Sequence, residues 1–467
     1  MPTAIPRSRS VPRLVAVALA TALLGLPSAT PAADAHGPAG RPGPAGTTLV
    51  GGSAIQPGSV GRTHPRVSAT YRATLDLDYG TRRISVDSTA TITNTTGGPI
   101  DRIEFNTVAG PLGGLTLRRA WVDAVVTTAR RTDQTIVVPL GGILPEGATT
   151  TVRVRYGATL RTSLSGSSWL FTKANGIANL YRWLPWVSRE TAFTRPNHGD
   201  PFVTATSPLV RVTVRTDRPL VIASTGDRTS VSSDGRTQVF EARDVRDFTI
   251  TAAPDFRTRS TRVGDTTIRT YYRSGTHAAL ILDAAADAFR AMESRLGDYP
   301  HPTFKVVQSA GGYGMESPAL IWIPYGIGSA NLRYLVAHET AHQWFYGMVG
   351  NDQARQPFAD EAAADFLARS VLGLRRSSRC STGRLDLPIY SYSAACYYER
   401  IYIQGGNLID DARRRMGSTR FWAALREYVA DQEGRLVANR TLLDALDDAT
   451  SLDLGRLLFG ARFPSAY

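Results

Sequence analysis

Lysine is almost missing from this 467-residue chain: of 53 basic residues only Lys173 and Lys305 are lysines. The formal surplus of +13 over 40 acidic residues is therefore carried by arginine, the better partner for planar anions. Such a charge speaks to solubility and non-specific attraction, and says nothing about fold. Cysteine is equally scarce. Two residues, Cys380 and Cys396, exclude a disulfide-built scaffold, and the lack of a CxxC spacing excludes a redox motif or structural zinc knuckle. No basic stripe with interleaved aromatics is present, and the arginines are scattered. That excludes a nucleic-acid partner and leaves only weak attraction to anionic surfaces. Beyond the N-terminal segment no apolar run approaches membrane-spanning length, so no transmembrane segment is expected in the mature chain. What is present, 42% hydrophobic and 9% aromatic residues, excludes a mainly disordered chain and suffices for two or three domains.

The N-terminus has the form of an export signal. Arg7, Arg9 and Arg13 precede the apolar run Leu14–Leu26, and small residues with an Ala-x-Ala pattern follow at Ala33–Ala35. Residues 1–35 read as a signal peptide and 36–65, rich in Gly, Pro and Ala, as a flexible spacer. A secreted, extracellular protein is expected. In that oxidising compartment Cys380 and Cys396 would form a bridge worth about 3 kcal/mol on a chain-entropy model. Two free thiols are the alternative.

Residues 66–255 carry short segments with period-two alternation, such as YRATLDLDY and LVRVTVRT, separated by turn sequences. They predict an N-terminal antiparallel β saddle or sandwich domain. Ser165–Pro196 interrupts that rhythm with Trp169, Phe171, Tyr181, Trp183 and Trp186, a cluster expected to pack a long loop against a neighbouring domain rather than stack sugars or bases. Residues 256–467 mix a few strands with long amphipathic helices and predict an α+β domain. The architecture is thus multidomain.

The chemistry concentrates at His338-Glu339-Thr340-Ala341-His342. On a helix the two histidines lie one turn apart on one face and can reach a single ion, with Glu339 beside them to address a water. One zinc ion is expected, held by His338, His342 and a third ligand, Glu361, nineteen residues beyond His342. Asp365, one turn after Glu361, is the candidate to receive a hydrogen bond from a ligand histidine, with Asp360 and Asp352 as weaker candidates. No nearby Cys or His would fill a fourth position, which favours a catalytic site over a structural one. Zinc-activated water with Glu339 as general base is the chemistry of amide hydrolysis.

These residues make the chain resemble the gluzincin aminopeptidases, the family of membrane alanyl aminopeptidase and leukotriene hydrolase, in a secreted bacterial short form. Their HExxH motif with a Glu after eighteen residues is matched by His338, Glu339, His342 and Glu361. Their Gly-Ala-Met-Glu-Asn motif corresponds to Tyr313-Gly314-Met315-Glu316-Ser317, and their Tyr-x-Lys-Gly-Ala to Tyr402-Ile403-Gln404-Gly405-Gly406. The resemblance implies a thermolysin-like zincin catalytic domain after the β domain and peptide substrates with a free N-terminus. It further implies that Glu316 binds the substrate's α-amine, that Tyr402 donates to the developing oxyanion, and that Tyr313, Gly314 and Met315 line the substrate strand. Gln308 is a weaker candidate for a second amine contact. Tyr313, Ser317 and Gln404 depart from the family pattern, and the missing large C-terminal helical domain of several members predicts a more open cleft. A secreted zinc endopeptidase and a non-catalytic polyanion-binding protein with a retained zincin fold are the rival readings.

Overall fold

The computed structural model describes residues 54–188 and 203–467. The signal peptide, most of the spacer and the end of the aromatic segment lie outside the described residues. The spacer reading needs correction at its C-terminal end. The Asp101 carboxylate accepts from the amides of Val60, Gly61 and Arg62 at 2.8, 2.7 and 3.0 Å, and Gln56 pairs with Ile143, so residues 54–65 are fastened to the β region.

The β region is built on an eight-stranded sheet. Ser68–Asp78 and Arg83–Thr93 pair antiparallel along their whole length, and their burial alternates residue by residue, as strands with one wet face should. One pairing departs from the expected antiparallel pattern: Val210–Thr216 runs parallel to Ser68–Asp78. The chain between them adds four strands to this sheet, builds one four-stranded sheet and half of another, and returns in the same direction. The inner faces share one core that includes Tyr71, Ile92, Phe105, Tyr156 and Val212.

The second region begins with a five-stranded sheet in the order Arg257–Val263, Thr266–Tyr272, Thr303–Ser309, Leu320–Pro324, Met315–Ser317. The three inner strands are parallel, and Met315–Ser317 runs antiparallel on the edge. From Thr303–Ser309 to Met315–Ser317 this sheet is buried on both faces, whereas the edge strand Arg257–Val263 is exposed. Phe304, Val306, Ile321 and Ile323 join a helical core, whereas Val307, Met315, Leu320 and Trp322 point the other way into the core of the β region. Each fully buried large side chain there contributes about 1.5–3 kcal/mol. The aromatic segment lies at this junction, with the Trp169 and Tyr181 rings 6.1 and 5.8 Å from Trp322.

Four helices position the site: α1 (Ala278–Leu296), α2 (Leu332–Ala341), α3 (Ala363–Leu372) and α4 (Gly405–Met416). Alanines 284, 285 and 288 with Phe289 and Met292 give α1 its buried stripe. Beyond the end of α2 at Ala341, Tyr346 takes φ +133° and the amides of Gly347, Met348 and Val349 bond back to the carbonyls of His342, Gln343 and Trp344. Among the described residues no helix is long and apolar enough to cross a membrane.

Both lysines serve internal contacts. Lys173 donates to the Tyr79 carbonyl at 2.6 Å and sits over that ring. Lys305 is buried and pairs with Asp227 of the β region at 2.8 Å, next to His301. Burial, reinforced by Lys305 and opposed by Asp227, pushes the His301 pKa from 6.5 down to about 4. The folded chain therefore keeps His301 neutral where the unfolded chain takes up a proton. This stability is whole above pH 6.5 and is lost as pH falls toward 4, by no more than roughly 3 kcal/mol. Urea unfolding at pH 7 and pH 4.5 should show a smaller loss for His301→Gln than for the wild type, and equal losses would discount the histidine.

Candidate active site

α2 sets His338 and His342 one turn apart with their Nε2 atoms 3.3 Å from each other. Glu361 Oε2 lies 3.3 Å from His338 Nε2 and 3.5 Å from His342 Nε2. A tetrahedral zinc with donors at about 2.0–2.1 Å places those donors roughly 3.3–3.4 Å apart. Three buried donor atoms thus occupy corners of one such tetrahedron, and the donor set fits zinc. Glu361 reaches this spot from a wide π-helical turn, Phe358–Ala362, that leads into α3. Such turns recur at functional sites because they rotate side chains out of regular helical phase.

The histidine ring is oriented by Asp360 rather than Asp365. His342 Nδ1 meets Asp360 Oδ1 at 2.7 Å and the Phe345 carbonyl at 3.0 Å. Both are acceptors, so the proton resides on Nδ1 and Nε2 keeps its lone pair for a metal. Asp365 accepts instead from Tyr334 and pairs with Arg369 at 2.7 Å, while the Tyr334 ring stacks on His338 with centroids 5.9 Å apart. Its support of the ligand is therefore indirect. Asp352 accepts from the Arg355 amide and caps a turn. Gln308 accepts from the amides of Arg273 and Ser274, which ties a strand end to the loop before α1 rather than offering an amine contact.

Glu316 and Glu339 both reach this cluster: ligand atoms of Glu316, Glu339 and His342 lie within 4.8 Å of one another, all buried. The edge strand approaches so closely that a Cβ on Gly314 would fall 2.2 Å from Glu339 Oε1, so glycine is what fits there. Alternation along that strand sends the Met315 side chain into the β-region core, which leaves its backbone facing the cleft edge. Tyr313 meets Trp169 edge-on at 5.9 Å, and Ser317 Oγ bonds Thr249 at 2.7 Å. Gln343 clamps the strand to α2: its Nε2 donates to the Ser317 carbonyl at 3.0 Å, and its Oε1 accepts from the Ala319 amide at 2.8 Å.

Tyr402 stands on a second wide turn, Glu399–Gln404, and its ring stacks on His338 at 5.5 Å. The glycines after it have a packing reason. A Cβ would fall 2.6 Å from Ala362 Cβ at Gly405 and 2.1 Å from Arg369 Nη2 at Gly406. Cys380 and Cys396 form a disulfide, Cα–Cα 5.9 Å. Gln404 holds the bridged loop by donating to the Cys380 and Ser381 carbonyls at 2.9 and 3.0 Å.

The field of the cavity favours a cation. Burial alone would depress the His342 pKa, yet Asp360 and Glu361 reverse the sign and raise it well above 6.5. Burial, only partly offset by His342, pushes Glu316 up to about 7. Sequence reasoning passed over Gln343 and Gln353 and ranked Asp360 low. Adjacency to Glu361 was the one signal for Asp360, and loop glutamines offered none.

No protein-family model matches the sequence, and no curated protein matches it. Solved structures do, and the likeness is one of fold, to structures described as M1 zinc metallopeptidases. A mutant M1 zinc metallopeptidase from Deinococcus radiodurans is 19% identical with a TM-score of 0.67, over 87% of this chain and 96% of that one. A two-domain M1 zinc metallopeptidase mutant bound to L-tryptophan matches with 19% identity and a TM-score of 0.66, over 87% and 96%. A Deinococcus radiodurans mutant bound to a Tyr-Ser-Ala substrate matches with 19% identity and a TM-score of 0.65, over 84% and 93%.

Proposed function

We propose that the chain is an exported zinc-dependent aminopeptidase that removes residues from the free N-terminus of peptides. The observation that carries this reading is a buried carboxylate, Glu316, on a sheet edge within reach of Glu339 and His342. An extended peptide can add itself beside Met315–Ser317 by strand pairing, which brings its α-ammonium to Glu316 and its first carbonyl toward the histidines. His338, His342 and Glu361 would hold the metal. A zinc ion bound there supplies a water of lowered pKa and polarises the scissile carbonyl. Glu339 takes the proton of the attacking water and delivers it to the leaving amine. Tyr402, stacked against His338, is placed to donate to the oxyanion as it develops, a contact worth most in the transition state. The bound amino acid and tripeptide of the similar structures support a peptide substrate. The basic and apolar leader supports export.

The test compares a free-amine peptide with its N-acetylated twin. Only the free peptide should be shortened from its amino end, chelation should abolish the reaction, and Glu316→Ala should lower its kcat/KM by about a hundredfold. Equal cleavage of both peptides would make the protein an endopeptidase. Stoichiometric zinc without hydrolysis would leave a binding protein.

A further inference from the structure

Gln353 lies on the loop between the ligand histidines and Glu361, and it is 2% exposed. Its amide is oriented by its surroundings. Arg182 of the β region donates from Nη2 to Gln353 Oε1 at 3.4 Å, and a guanidinium can only donate. The amide nitrogen therefore faces the two carboxylates beside it, Glu316 Oε1 at 3.2 Å and Asp360 Oδ2 at 2.6 Å. Each carboxylate can take one N–H, and Asp360 gives its other oxygen to His342.

We infer that Gln353 is a positioning residue, with Glu316 as the amine anchor and Asp360 as the brace of His342 held by one amide whose direction Arg182 sets. The inference rests on the aminopeptidase reading and assigns to the β region a part in recognising the substrate's amine. Arg182 is itself fixed, since Nη2 also donates to Tyr346 Oη at 2.8 Å and Tyr346 in turn bonds Asp247. Tyr346 itself takes a φ of +133°, a conformation that needs compensation from its surroundings. The segment that leaves His342 is thus clamped at Tyr346 and again at Gln353 by one arginine from the other region.

Removing the amide donors takes from two buried carboxylates the N–H groups they share. Asp360 keeps its bond to His342, whereas Glu316 sits on a three-residue edge strand and has the freer path to turn away. The loss should therefore fall on amine binding more than on metal retention or chemistry.

The test is Gln353→Met, close in volume and without donors, with Arg182→Met as a second variant that releases the amide's direction. Free-amine dipeptide hydrolysis, zinc content and melting temperature are measured. Calorimetric binding of an amino acid and its N-acetyl form to the zinc-loaded protein gives a readout independent of turnover. Gln353→Met should raise KM by roughly tenfold or more with kcat within about threefold, retain one zinc, and weaken the amino acid alone. Arg182→Met should move KM in the same direction by less. If Gln353→Met does not fold, the KM of Arg182→Met decides. Unchanged KM, or a fall in kcat alone, overturns the inference and leaves the aminopeptidase reading standing. A wild type that binds zinc but hydrolyses no free-amine peptide overturns both.

Discussion

Glu339→Gln is expected to keep its zinc and its fold and to lose about a thousandfold in kcat, the middle of the range for a positioned general base. The substitution is nearly isosteric in a place with no spare room, because Gly314 leaves the Glu339 carboxylate only the space a missing Cβ provides. An amide cannot accept the proton of the attacking water, and the glutamate lies outside the His338, His342 and Glu361 set that fits the ion. Metal analysis should therefore return one zinc per chain for both proteins while the rates diverge. A variant within tenfold of the wild-type rate would remove Glu339 from the chemistry.

Glu361→Ala should act through the metal instead. Wild-type protein with free zinc a thousandfold above its dissociation constant gains about 4 kcal/mol against unfolding, which appears as a rise in melting temperature on metal addition. The variant retains two histidines and should lose that rise together with all measurable hydrolysis. The contrast between the two variants is the diagnostic. Glu339→Gln should still melt higher with zinc, and Glu361→Ala should not. A zinc-dependent rise that survived in Glu361→Ala would move the third ligand elsewhere, with Glu316 as the next carboxylate in the cluster.

The chain advertised its site where chemistry and helical period coincide. His338 and His342 share a face because α2 is a regular helix, and residue identity marked Glu339 between them. Asp365 was favoured for the same reason, since four residues make a turn. The wide turn at Phe358–Ala362 breaks that phase and brings Asp360 as well as Glu361 to the histidines, and no local sequence rule announces such a turn. Gln353 and Gln343 act from loops, where periodicity carries no information. The parallel pairing of Val210–Thr216 with Ser68–Asp78 was equally hidden, because alternation looks the same in either direction. The run YGMESPALIWIPYG reads in the sequence as an edge strand and turn; Met315–Ser317 is that edge strand, whereas Leu320–Pro324 lies inside the sheet and is covered on both faces.

That covering has a consequence for how this molecule can be inherited and engineered. Leu320, Trp322, Val307 and Met315 belong to the catalytic half by sequence and to the β half by packing. A cut near residue 256 would separate the chain without separating two autonomous folding units, since one half would be left with an uncovered sheet and the other with an opened core. The halves are therefore not modules to be exchanged with those of distant relatives. A substitution on either side of this seam must be accommodated by the packing of the other.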